Sequence, residues 1–150
     1  MNSAVNMDIL GRMGEKYVAN VLMKEGVNVE QSLNHFDHIK DMIGDGKTVE
    51  VKTQVPFIVE NAFSMKPNQL FKCRNVDVLY FISIPVSGRN YKHAGWLFRI
   101  DPKTFKTKNR KTKDGREMVL IPIEQESVTP IHKIDDGIIS EMMKYSVSEY

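Results

Sequence analysis

Residues 36–54 read FDHIKDMIGDGKTVEVKTQ, and the reading of this stretch decides the fold. Two β-rich runs, Phe36 to Ile43 and Thr48 to Gln54, flank Gly44, Asp45, Gly46 and Lys47. Asp-Gly between such runs signals a tight hairpin, because both turn residues must take positive φ. In the second run Val49 and Val51 alternate with Glu50 and Lys52, so the period of two puts the valines on one face and the charges on the other. Across a two-residue turn odd numbers pair with even ones, so Asp37, Glu50 and Lys52 share a face. The strict register sets Asp41 opposite Glu50 and leaves Asp37 four residues further on, roughly 13 Å away at ~3.4 Å per residue. Asp37 is the preferred acidic partner of Glu50, and Asp41 is the alternative.

Working outward, Leu10, Met13, Tyr17, Val18, Val21 and Leu22 recur at three- and four-residue steps and predict a helix from Met7 to Lys24, stopped by Gly26. Glu15 borders its apolar stripe. A short helix is expected within Ser64 to Asn75, opening near Pro67. The run Val76 to Pro85 (VDVLYFISIP) reads as a central strand covered on both faces. Trp96 to Ile100 and Met118 to Ile123 read as later strands. Asp136 to Tyr145, carrying Ile138, Ile139, Met142 and Met143, reads as a closing helix. This order predicts a mixed α/β domain with helices packed on a central sheet.

The chain has 150 residues, 41% apolar and 27% charged, which suits one domain spanning 1–150. At this length folding buries roughly 68 to 70% of the unfolded surface, so no disulfide or structural metal is needed. The single cysteine, Cys73, cannot form an intrachain disulfide, and no zinc-site spacing occurs. The longest nearly apolar run, Val78 to Val86, falls far short of the ~20 residues of a membrane span. Met1 to Leu10 lacks the order of a signal peptide. The sequence thus sets aside membrane and secreted classes, and an intracellular setting is expected.

Net charge is only +2, but it is unevenly placed. Lys103, Lys106, Lys108, Arg110, Lys111, Lys113 and Arg116 face one acid, Asp114, within a single short stretch. Such a stripe suits a phosphate backbone, as a hairpin or loop whose lysines contact phosphates and whose Arg110 or Arg116 reaches guanine edges. Lys66, Asn68, Gln69, Lys72 and Arg74 form a second candidate nucleic-acid surface, with Asn and Gln suited to adenine. His35 and His38 tempt a metal reading, yet that spacing on a strand splits their rings between faces. His93 and His132 have no visible partner and read as structural. Cys73 lies between Lys72 and Arg74, but no accompanying pattern makes it a nucleophile.

The chemistry concentrates on Asp37, then twelve residues, then Glu50-Val51-Lys52. A hard divalent cation assists phosphodiester cleavage by neutralising charge on the phosphate and making a hydroxide-like nucleophile from water. Magnesium takes oxygen ligands, usually one or two carboxylates together with waters and phosphate oxygens. Asp37 and Glu50 can supply that pair, and the Val51 backbone carbonyl a further ligand. Lys52 would set an ammonium beside the water or the phosphate.

The set Glu15, Asp37, Glu50-Val51-Lys52 resembles the PD-(D/E)XK nuclease superfamily, the restriction-endonuclease-like fold. Gly11, Gly14 and Glu15 on the first helix, the aspartate opening a strand, EVK on the next, and the helix and buried strand that follow match that superfamily's order over about residues 9–86. The gap and the EVK triplet look like small archaeal-type Holliday junction resolvases, and the size and basic tail like small bacterial homing endonucleases. The proline that precedes the aspartate in the superfamily is absent, Asn34, His35 and Phe36 standing there instead. The resemblance implies magnesium-dependent hydrolysis, with manganese as a substitute. It makes Asp37 and Glu50 metal ligands, Lys52 the residue at the water, Glu15 an accessory carboxylate and Gln54 a contact to phosphate or water.

The function expected is a double-stranded DNA endonuclease acting at a specific site, with a junction resolvase and an inactive nucleic-acid-binding module as alternatives; an RNA-processing nuclease stays open. A homo-oligomer, dimer or tetramer, is expected because one centre cuts one strand. The expected layout is a catalytic core at about 9–86, a β-rich DNA-contacting extension at about 96–123 and a C-terminal helix at about 136–145.

Overall fold

The computed structural model of the chain describes residues 3–31 and 42–146. Helix α1 (Ser3–Lys24) begins four residues earlier than its apolar pattern suggests, and Gly26, at φ +85°, ends it. Strands β1 (Val29–Gln31), β2 (Met42–Gly44) and β3 (Lys47–Gln54) follow. Asp45 and Gly46 have φ of 50° and 79°, the geometry of a type I′ turn, and the register is Met42↔Val49 and Gly44↔Lys47, as a two-residue turn requires. Only the end of the expected Phe36 to Ile43 strand falls within the described residues. Asp37, Asp41, His35 and His38 lie outside them.

A 3-10 turn (Ile58–Glu60) leads into β4 (Ala62–Met65), and α2 spans Pro67–Asn75. The short helix expected within Ser64 to Asn75 thus opens at Pro67, where the sequence places its start. Ser64 and Met65 are strand residues paired with Leu120 and Val119, and Pro67, which has no N–H to lose, opens the first helical turn. Strands β5 (Val78–Ser83), β6 (Trp96–Ile100), β7 (Lys108–Lys111), β8 (Glu117–Pro122) and β9 (Val128–Lys133) precede α3 (Asp136–Met143). Asp135 caps α3 by accepting from the backbone N–H groups of Gly137 and Ile138.

The six-stranded sheet runs β1-β2-β3-β5-β6-β9, with β3 and β5 parallel and the other neighbours antiparallel; β4-β8-β7 form a second sheet. The class is α/β with a mixed central sheet. On one face of that sheet Leu10, Val18 and Leu22 of α1 and Ile139 and Met142 of α3 pack against Val49, Val51, Tyr80 and Ile82. On the other face Leu79, Phe81, Phe98 and Ile100 meet Phe63, Val119 and Ile121 of the second sheet and Cys73 of α2. The segment expected as an extension, 96–123, is woven into this core, since β6 pairs with β5 and β8 with β4. Of the apolar residues on α3, Ile139 and Met142 are buried, so core packing accounts for them. No helix among the described residues is long and apolar enough to cross a membrane.

One contact fixes how close α1 lies to β3. A Cβ added at Gly14 would stand 1.8 Å from the Thr53 Oγ1, whereas one at Gly11 would meet nothing within 4 Å. Of the two glycines, Gly14 is the one that lets helix and strand touch.

Candidate active site

Strand alternation turns Val49 and Val51 toward α1 and leaves Glu50, Lys52 and Gln54 on the opposite face, beside Leu79, Phe81 and Ser83 of parallel β5. Helix α2 covers this face. Gln69 and Lys72, one turn apart on α2, meet the two charges of β3: the Lys52 ammonium donates to the Gln69 Oε1 at 2.8 Å, and the Lys72 Nζ lies 2.9 Å from the Glu50 Oε2. Lys52 stands 3.6 Å from the other oxygen, Oε1. The side chain of Glu50 is 12% exposed, against 25% for Lys52 and 30% for Lys72. A carboxylate this far out of water is sustained by its charged partners.

Cys73 lies fully buried beside this group, and burial first of all pushes its thiol up to about 11, with Lys52 opposing and Glu50 adding to the rise. It is a packed apolar residue and not a nucleophile. Gln54 has a different part from the phosphate contact expected of it. Its amide clamps the Ser64 backbone, with Nε2 donating to the carbonyl and Oε1 accepting from the N–H, both at 2.8 Å. Glu15 is half-buried on α1, the helix that packs on the face of β3 carrying Val49 and Val51.

The expected nucleic-acid residues divide. Gln69 and Lys72 are drawn into the charged group. Arg74 lies over the Phe105 ring at 3.8 Å, and Lys103 donates at 2.6 Å to the carbonyl of Arg74 near the end of α2; both are tied to structure. The stripe does form a hairpin, β7 with β8. Its arginines, however, are engaged: Arg110 makes a forked contact to Glu60, with Nη2 to Oε1 at 2.6 Å and Nε to both oxygens, and Arg116 pairs with Asp114 at 2.9 Å. Guanine reading by either would first have to break these pairs. Lys66, Asn68, Lys106, Lys108, Lys111 and Lys113 stand exposed. His93 packs edge-on against Trp96, and His132 shares a 2.7 Å hydrogen bond with the Tyr17 hydroxyl, so both have the structural surroundings expected of them.

An open cleft of about 1310 Å³ lies elsewhere, between the 101–108 segment and the 122–129 segment, with Lys106 and Lys108 on its wall. Glu50, Lys52 and Lys72 do not line it. The lining of Asp101, Glu124 and Glu126 opposite Arg99 is of mixed sign and does not resemble a phosphate site.

Glu50 and Lys52 are visible in the sequence, but their partners Gln69 and Lys72 read there as part of a nucleic-acid surface; the three-residue spacing of the two on a helix is the signal that pairs them. Among the described residues no group of three or more His, Cys, Asp or Glu side chains converges to hold a metal. The donors present are the Glu50 carboxylate and the Val51 carbonyl. The Lys72 ammonium already sits on the Glu50 Oε2 as a resident cation, which shows that this oxygen is presented to positive charge. Asp37 and Asp41, the other carboxylates expected at a magnesium site, lie outside the described residues. In comparisons with known proteins, the chain matches no family model, no curated protein and no solved structure.

Proposed function

We propose that the chain is a metal-dependent DNA endonuclease of the PD-(D/E)XK, restriction-endonuclease-like kind. The observation that carries this reading is the Lys52–Glu50–Lys72 group, three half-buried charges set into a sheet face otherwise packed with Leu79, Phe81 and Phe98. Placing charges on an otherwise apolar face carries a desolvation cost that surface pairs avoid. The order of α1, the β2–β3 hairpin, α2 and β5, with β3 parallel to β5, adds support.

Glu50 with Asp37, or Asp41 in its place, would hold magnesium or manganese, aided by the Val51 carbonyl. That ion supplies charge neutralisation at the phosphate and an acidified water. The protein's own part is positional. Gln69 takes one of the three N–H bonds of the Lys52 ammonium and fixes its direction, leaving two to meet an attacking water or a phosphate oxygen. The exposed lysines of β7 and its turn bind backbone phosphates and make affinity fall steeply with salt. Cutting both strands takes two centres, so the proposal includes a homodimer or tetramer, measurable by sedimentation.

Two readings of substrate remain, and one observation favours the second. A site-specific enzyme of the homing or restriction type needs side chains that read base edges, and the two arginines suited to guanine, Arg110 and Arg116, are ion-paired here. A structure-specific junction resolvase needs only phosphate contacts. The test incubates the protein with long linear duplex and with a four-way junction, in magnesium or in a chelator, alongside Lys52→Ala, Asp37→Ala and Asp41→Ala. Discrete fragments from the duplex select the first reading, and paired nicks in the junction alone select the second. Cleavage that survives the chelator or Lys52→Ala rejects the centre, and tight binding without any cleavage indicates an inactive module.

A further inference from the structure

Phe63, Phe81, Phe98 and Phe105 are at most 1% exposed, whereas Phe71, on α2, is 78% exposed. Successive residues of a helix turn by about 100°, so with Gln69 and Cys73 directed at the sheet, Lys72 stands on the flank towards Glu50. Phe71 occupies the next sector outward, with Asn68 and Asn75 on the same side. The Asn75 amide donates to the Phe71 carbonyl at 2.6 Å, and the ring itself is left to solvent.

A single exposed ring is ordinary on a protein surface. The charge around this one selects a partner. From Asn61 to Val76 the chain has no acidic residue but has Lys66, Lys72 and Arg74, and the exposed side chains near the ring are Lys66, Pro67, Asn68 and Asn75. An anionic membrane would answer the charge, but it calls for an apolar helix face, and α2 exposes no other large apolar side chain among its described residues. A nucleic-acid strand with unpaired bases offers what this surface lacks, phosphates together with a flat apolar face. We propose that Phe71 is a stacking platform for an unpaired nucleobase, with Lys66 on a neighbouring phosphate, so that the substrate class is DNA carrying unpaired bases at a branch. The inference rests on the DNA reading above and deepens it. In a paired duplex the bases stack on one another and withhold their faces, so the ring discriminates by pairing and not by sequence.

The test measures fluorescence anisotropy of the full-length protein with a paired duplex, a splayed fork and a single strand, in chelator so that binding is read apart from cleavage. The fork carries 2-aminopurine at its branch, whose emission falls when it stacks. Phe71→Ala, Phe71→Leu and Phe71→Trp are compared with the wild type, and thermal melting confirms that each is folded. The wild type should bind the fork and the single strand more tightly than the duplex. Phe71→Ala and Phe71→Leu should bind both about tenfold more weakly, a factor equal to roughly 1.4 kcal/mol, with duplex affinity unchanged and the 2-aminopurine signal lost. Phe71→Trp should keep both affinity and signal. Leucine acting as well as phenylalanine overturns stacking in favour of a plain apolar contact. Equal weakening on every probe overturns the discrimination by pairing. Unchanged DNA binding in Phe71→Ala overturns the site, and if that variant instead loses binding to anionic vesicles or self-association, the ring serves a membrane or a second copy. If the Phe71 variants bind and cleave as the wild type does while Lys52→Ala stops cleavage, only this inference fails. If the fork is held through Phe71 but never cut in magnesium, only the nuclease reading fails. No binding to any probe rejects both.

Discussion

Strand β3 has two faces built on opposite rules. Val49 and Val51 are buried against α1 and Thr53 touches Gly14, so that face is dry and closely packed, and its residues serve stability. Glu50, Lys52 and Gln54 share the other face, where each has a directed polar partner, namely Lys72, Gln69 and the Ser64 backbone. A single residue step along the strand therefore moves from packing to chemistry. Substitutions on the two faces should fail in different assays.

The largest effect expected is on catalysis. Lys52→Ala should reduce DNA cleavage by about 10²–10³-fold while the melting temperature stays near that of the wild type. Single-turnover assays beside thermal melts read both quantities, and equal loss in both would erase the distinction between the faces. Val51→Ala should do the reverse. It should cost about 2 kcal/mol of stability through lost burial and a small cavity, lowering the melting temperature by roughly 4–8 °C, with cleavage at low temperature almost intact.

Gly14→Ala sharpens the packing side. In an open helix the change gains about 1 kcal/mol of propensity. Here the new methyl meets Thr53 at 1.8 Å from Oγ1 and 3.1 Å from Cβ, so the net result should be a loss of about 1–3 kcal/mol. Adding Thr53→Ala should recover most of it, since it removes the clash and a buried hydroxyl without a hydrogen-bond partner among the described residues. Denaturant titration of the single and double variants measures the coupling.

The smallest effect lies at the strand ends. The Thr48 N–H, and then its hydroxyl, hold the Asp77 carboxyl below its ordinary range. A lowered folded value contributes stability above the unfolded carboxyl range, about pH 4, and loses it as acid protonates the folded group below that. The difference in melting temperature between the wild type and Asp77→Ala should therefore be present at neutral pH and vanish in strong acid.

Much of β3 was legible because period and turn chemistry are local. The Asp-Gly turn, the alternation of Val49 to Lys52 and the buried β5 run follow from neighbours in sequence. What failed was non-local or disguised. Strand β4 has no signal of its own in the short stretch before Pro67, because the Ser64 N–H goes to Gln54 and its strand pairs with distant β8. Strand β7 reads KNRK, with no apolar alternation, because it is an exposed edge. Strand β9 carries Pro130 inside it, tolerated at the outer edge of the large sheet beside a register shift at Leu97 and Phe98. The Arg110–Glu60 pair spans fifty positions and has no sequence signal. Asp37 and Asp41 lie outside the described residues.

The Gln54 amide joins more than two strands. Gln54 is fastened to Ser64, Ser64 sits opposite Leu120, and Leu120 sits opposite Lys108, so a single transverse row links the strand bearing Glu50 to the lysine-rich edge. A sideways displacement of that edge is therefore carried to β3 along this row, without passing through the turns that close the strands.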